Sequence, residues 1–148
     1  MSVVSDACIL ANGMIDDVYT VMRITKERPS MFVRRRMKHL VTISWGVTDQ
    51  DLCANGRIGE HTIDQMQDFE LRLANALEPS KIAMLMIVAT KPTVREWDWY
   101  TRDVEEMLKI LNHDFNDFDT SEIEVSHQID AGWKSHANAL EMVQRQPA

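Results

Sequence analysis

The run from Ile82 to Thr101, IAMLMIVATKPTVREWDWYT, limits what this chain can fold into more than any other stretch. Ile82 to Ala89 is apolar at every position. Strand side chains alternate, so Ile82, Met84, Met86 and Val88 would face one way and Ala83, Leu85, Ile87 and Ala89 the other. A run this short, bounded by Pro79-Ser80 and Lys91-Pro92, predicts a strand buried on both faces rather than a helix. Each face then needs a cover. Lys91-Pro92-Thr93 supplies a turn, because proline pre-sets the backbone for one. Val94 to Thr101 returns as a second strand, with Arg95, Trp97, Trp99 and Thr101 on one face and Val94, Glu96, Asp98 and Tyr100 on the other. Two tryptophans on one face carry a large apolar area. They either pack in the core or make an open platform for a ligand or a nucleic-acid base.

The flanking segments supply the covers. Leu40 to Thr48 alternates as a strand, with Val41, Ile43, Trp45 and Val47 on one face. A helix is expected from Thr62, where Thr62 and Gln65 have capping-box spacing, and Ile63, Met66, Phe69, Leu73 and Leu77 form its apolar stripe. A second helix is expected after Thr101, with Val104, Met107, Leu108, Leu111 and Phe115 facing in and acidic residues in its first turns. A loop from Asn116 to Ser121 follows, with Phe118 tucked inward. Glu122 to Ile129 alternates, predicting Ile123, Val125, His127 and Ile129 inward. Asp130 caps a last helix carrying Trp133, Ala137, Leu140 and Val143, and the tail from Gln144 is expected to fray. Ahead of all this, Asp17 to Thr25 reads as a strand and Met31 to Lys38 as its return, with a short helix as the alternative for the latter. Residues 1 to 16 admit a short helix through Ala7 to Leu10. The order from Leu40 to Ile129 is strand, helix, strand, strand, helix, strand. That predicts an α+β, ferredoxin-like βαββαβ core with an antiparallel sheet, an N-terminal strand or hairpin extension and a C-terminal helix. One domain over residues 1–148 is expected, with its core at about 40–143 and its extension at 1–39.

Charge narrows the function classes. The net charge of -7 disfavours nonspecific nucleic-acid binding, which works by neutralising phosphates. The charge is uneven: Arg34, Arg35, Arg36 and Lys38 cluster on one side of the sequence, and Asp114, Asp117, Asp119, Glu122 and Glu124 on another. The arginines either guard an exposed strand edge or meet a partner. No run is long and apolar enough for a membrane span, and the N-terminal stretch lacks the basic start and long apolar segment of a secretory signal. Two distant cysteines, Cys8 and Cys53, show no paired spacing. A cytoplasmic location is the expectation.

Reaction chemistry is sparse. Gly56 and Gly59 lie in NGRIGEHT, which lacks a phosphate-loop lysine, and no Cys-x-x-Cys or His-Glu-x-x-His spacing occurs. His113 with Asp114, His127 with Asp130, or His61 with Asp64 could each offer two metal ligands, a spacing that chance supplies readily. Glu96 and Asp98 could do acid–base work, or could face solvent or pair with Arg34 and Arg36. No cofactor or metal is expected. Ten methionines include Met84, Met86, Met107 and Met142 on apolar stripes, either as core filler or as an adaptable binding face.

Arg95-Glu96-Trp97 followed by Tyr100-Thr101 resembles a motif of the bacterial family catalogued as domain of unknown function number 695. Ile43-Ser44-Trp45, the Phe69-Glu70 helix, and Asp130 with Trp133 are further counterparts, so the resemblance covers roughly 40–140. The family often has glycine before Arg-Glu-Trp, where this chain has Thr93-Val94, and Asp-Pro where it has Asp130-Ala131. The resemblance implies an α+β fold and no assigned activity. It also implies kinship with domains joined to a regulator that inhibits ribonuclease E by binding it. The expectation is therefore a noncatalytic, regulatory, protein-binding domain. Its interaction surface is expected to involve Arg34, Arg35, Arg36, Arg95, Glu96, Trp97, Trp99 and Tyr100. A homodimer is a possible assembly. The alternatives are a small enzyme with its site beside Trp97, Tyr100, Glu96 and His127, or a weak single-stranded nucleic-acid binder using Trp97 and Trp99.

Overall fold

In the computed structural model, which describes residues 2–4, 7–115 and 122–145, the apolar run is an interior strand of one antiparallel sheet. The elements in order are β1 (Ser2–Val4), β2 (Cys8–Ile15), β3 (Val18–Thr25), α1 (Met31–Arg36), β4 (His39–Gly46), α2 (Glu60–Leu77), β5 (Ala83–Thr90), β6 (Val94–Thr101), α3 (Val104–Asp114), β7 (Ile123–Ile129) and α4 (Lys134–Arg145). Among the described residues the sheet has seven strands in the order β1-β2-β3-β5-β6-β4-β7, and every neighbouring pair is antiparallel. The chain is thus α+β. Each of the crossovers through α2 and α3 skips one strand: β6 lies between β4 and β5, and β4 between β6 and β7.

Both sheet faces are covered, as the doubly apolar β5 requires. Val41, Ile43 and Trp45 of β4 and Trp97 and Trp99 of β6 pack with Met66, Phe69, Leu73 and Leu77 of α2 and Met107 of α3. On the other face Ile24, Leu40, Met86, Ile87 and Tyr100 pack with Met37, Trp133 and, from α4, Ala139 and Val143. Removing this much apolar area from water is the main force holding the layers together.

The alternation expected along β5 fails at one point. Leu85 pairs with Trp99 but Ile87 pairs with Asp98, so Met86 is an extra residue, a β-bulge. Beyond it the faces exchange: Met84, Met86, Ile87 and Ala89 lie on the α4 side, and Ala83, Leu85 and Val88 on the α2 side.

The extension is a hairpin, but not the expected one. β2 and β3 pair through Ile15 and Val18, and the turn residues Asp16 and Asp17 have φ of 51° and 66°. Two consecutive positive φ values make a hairpin turn of the primed kind, whose twist matches that of the strands. The helix admitted at Ala7 to Leu10 is therefore corrected to strand. The strand expected at Met31 to Lys38 is corrected to the α1 helix, because the Ser30 hydroxyl caps it by accepting from the Val33 N–H. The α2 start is also corrected. Gly59 occupies the cap position and Thr62 is buried within the helix, so no capping box forms there. In α3 the cap is Asp103, whose carboxylate accepts from the Glu106 N–H, while the Thr101 hydroxyl bonds Ile82 O. β7 is an edge strand with its expected inward face largely bare; Val125, His127 and Ile129 are exposed. Expectations for the Asn116 to Ser121 loop, including Phe118, Asp117 and Asp119, and for residues 146–148 lie outside the described residues.

Candidate functional site

β6 settles where the aromatic residues go. Trp97, Trp99 and Tyr100 are wholly buried. Trp97 Nε1 donates to Glu70 Oε1 at 2.9 Å, and Glu70 also holds Arg23. Trp99 Nε1 has no hydrogen-bond partner among the described residues. These rings are the ballast of the core, so no nucleic-acid base can stack on Trp97 or Trp99, and that alternative is corrected. Tyr100 lies on the opposite face. Its hydroxyl donates to Asp130 Oδ2 at 2.7 Å, and its ring stacks on Trp133 with centroids 4.0 Å apart.

The eight residues expected to form one surface are separated. Arg95 faces the α2 side; its Nε donates to Thr90 Oγ1, and burial lowers its pKa. Glu96 faces the α4 side and pairs with Lys91 at 2.6 Å, not with Arg34 or Arg36. Arg34, Arg35 and Arg36 end α1, where a basic last turn complements the helix dipole. Arg34 Nη1 donates to Pro29 O at 2.6 Å, while Arg35 and Arg36 reach solvent.

α1 carries the feature that sequence reading passed over. Phe32 is 69% exposed and Met31 56%, beside those arginines. The Arg36 guanidinium lies over the Phe32 ring, 5.7 Å from its centroid. The inner side of α1, through Val33 and Met37, walls a groove of about 550 Å³ against β5. Pro29, Glu78, Lys81, Met84 and Met86 are among the residues that line it. The signal was present: Ser30 precedes the apolar triplet Met31-Phe32-Val33 at cap spacing. A helix of only six residues shows too little periodicity to be distinguished from a strand.

A latch fixes α1 in place. Trp133 Nε1 donates to Met37 O at 2.8 Å. Asp130 caps the start of α4, accepting from Lys134 N–H and Ser135 N–H. Burial pushes the Asp130 carboxyl up, yet the bonds from Ser135, Tyr100 and Lys134 outweigh it and hold its pKa below the usual range. His136 Nε2 lies 2.7 Å from Thr25 O, so that nitrogen donates, and Nδ1 accepts from Arg28 at 3.1 Å. Burial, then the nearby arginines, favour its neutral form.

A second cavity, of about 340 Å³, lies between α4 and the sheet beside Asp98. Glu96, Lys91, Ser135, Asn138 and Met142 are among its lining residues. Burial pushes the Asp98 carboxyl up to about 6, although the Thr42 hydroxyl donates to it at 2.8 Å. His127 is nowhere near it. This histidine sits on the β7 edge, exposed, against His39, which corrects both its expected core position and its place in an enzymatic site. Among the described residues no group of three or more His, Cys, Asp or Glu is arranged to hold a metal. Cys8 lies on β2 and Cys53 in the loop before α2, and no disulfide joins them. No described helix is long and apolar enough to cross a membrane.

A family model described as a family of unknown function, DUF695, matches residues 10–140. No curated protein and no solved structure matches the chain.

Proposed function

The chain belongs to the family of unknown function DUF695, and from that premise we infer a noncatalytic protein-binding domain whose contact surface is α1 and the groove behind it. The observation that carries this reading is Phe32, a large aromatic left 69% exposed on α1. It stands beside Arg35 and Arg36 and next to a groove lined by Met37, Met84 and Met86. Aromatic residues, methionine and arginine are the side chains enriched at protein interfaces, and methionine adapts its shape to varied partners. The chain as a whole is acidic, but α1 is basic, with Arg34, Arg35 and Arg36 in its last turn, and the groove beside it carries Lys81 together with Glu78. The partner segment is therefore apolar with acidic flanks.

The fold context agrees. We read β4 to β7 as a ferredoxin-like unit, supported by the strand order β5-β6-β4-β7 and by both helices α2 and α3 lying on one face. The α1 surface stands on the opposite side, carried by the latch through Trp133.

The test is fluorescence anisotropy with labelled peptides that place two or three apolar residues between acidic ones. Binding of at least one such peptide, weakened by Phe32→Ala and by Arg35→Glu, and falling with added salt, supports the reading. Failure of every peptide, or equal binding by the variants, rejects it.

A second reading rests on Asp98. A carboxyl raised to about 6 in a cavity with Lys91 and Ser135 is a site able to exchange a proton near neutrality. It predicts a hydrolytic or isomerising activity lost in Asp98→Asn. A substrate screen in which wild type and variant are equally inactive counts against it.

A further inference from the structure

We propose that His39 and His127 form a two-histidine site for a divalent late transition metal such as Cu²⁺, Ni²⁺ or Zn²⁺. The two belong to neighbouring strands. Val41 lies opposite His127 and His39 opposite Ile129, so the histidines are diagonal neighbours on one sheet face. That face is bare along β7, where Val125 and Ile129 are exposed, so both rings can be reached from solvent.

The spacing fits one ion. His39 Nδ1 lies 2.9 Å from His127 Nε2. Two imidazole nitrogens bound side by side to one ion at about 2.0–2.1 Å stand roughly 2.9 to 3.3 Å apart. The ring centroids are 5.0 Å apart with planes at 45°, so small turns about the side-chain bonds direct both lone pairs to a shared point. In the metal-free pair one ring donates an N–H to the other. On binding, the donating ring moves that proton to its other nitrogen, leaving His39 protonated at Nε2 and His127 at Nδ1. Two neutral imidazoles then coordinate without net proton release. Imidazole suits copper, nickel and zinc, and the usual affinity order puts Cu²⁺ first. Two protein ligands leave the remaining positions to water or to a group from another molecule.

Calorimetric titration of the full chain with Cu²⁺ and with Ni²⁺, with amide NMR under substoichiometric Cu²⁺, tests this. The site predicts one-to-one binding and paramagnetic broadening centred on the signals around Val41 and His127. His39→Ala and His127→Ala should each weaken the tightest site by more than about tenfold, the low end of what loss of even an outer-shell partner costs. Both side chains lie at the surface, so the variants fold. Three results overturn the proposal: no heat at millimolar metal, a tightest site indifferent to both substitutions, or broadening centred on His113 and Asp114, which pair at 2.9 Å elsewhere.

Discussion

Tyr100 and Trp133 lie face to face, their centroids 4.0 Å apart and their planes within 11°. Trp133 reaches this position with a φ of 54°, a left-handed backbone that a bulky residue rarely adopts. Strain of that kind costs about 1–3 kcal/mol, and persists only where the surroundings over-determine it. Here the stack, the bond from Trp133 Nε1 to Met37 O and the Asp130 cap on α4 all do so. The same contacts tie α1, and with it Phe32 and the arginines, to the sheet.

Removing the latch should therefore be costly. Trp133→Ala is expected to lower unfolding free energy by about 3–5 kcal/mol, the range for emptying a buried tryptophan site. Trp133→Phe keeps a ring on Tyr100 but orphans Met37 O, and should cost about 1–2 kcal/mol. Urea denaturation followed by circular dichroism measures both. Equal, small losses would mean that Trp133 does not hold α1.

Asp98 gives a pH signature of defined sign. Its folded pKa, about 6, lies above the ordinary 3.8, so the folded state binds the proton more tightly. The stability this contributes is complete below about 3.8 and is lost as pH rises through about 6. With partial solvent access allowed for, the loss is about 2 kcal/mol. Asp98→Asn cannot ionise and can still accept from Thr42. The difference in stability between variant and wild type should grow in the variant's favour from pH 4 to 7. A difference independent of pH would show Asp98 to be an ordinary carboxylate.

The tryptophans give a direct optical check on the core. Trp97, Trp99 and Trp133 are wholly buried, and Trp45 nearly so. Native emission should be blue-shifted and almost insensitive to iodide, and an oligonucleotide at low salt should leave it unchanged. Strong iodide quenching of the native chain would contradict the packing of β6.

Much of this arrangement is legible in the residues, and what is not has physical causes. The apolar stripes of α2 and α3 follow the helical period closely, and Met66, Phe69, Leu73 and Met107 are buried accordingly. The bulge at Met86 is invisible because apolar residues on both sides of β5 let either phase look right. The hairpin turn at Asp16-Asp17 lacks the Asn-Gly or Asp-Gly pair that usually marks positive φ. Strict alternation placed His127 and Ile129 inward, yet a pattern records which residues share a face, not whether anything covers it. The groove behind α1 joins Val33 and Met37 to Met84 and Met86 across about fifty residues, a meeting that only the folded chain reveals.

The charge around α1 yields one more expectation. Reversal at Arg35 should lower stability by no more than about 1 kcal/mol, the usual worth of one charge at an exposed helix end. It should nevertheless weaken capture of an acidic, apolar peptide, with the salt dependence reduced. Melting curves and anisotropy on the same samples separate the two effects. A large drop in stability would reassign the arginines to holding the fold.

The most direct measurement is NMR of methyl-labelled methionines while peptides of alternating acidic and apolar residues are added. The account predicts that the Met31, Met37, Met84 and Met86 methyl signals shift together and saturably, while those of Met14 and of Met107 deep in the core stay fixed. Shifts confined to Met14, or none with any peptide, would contradict it.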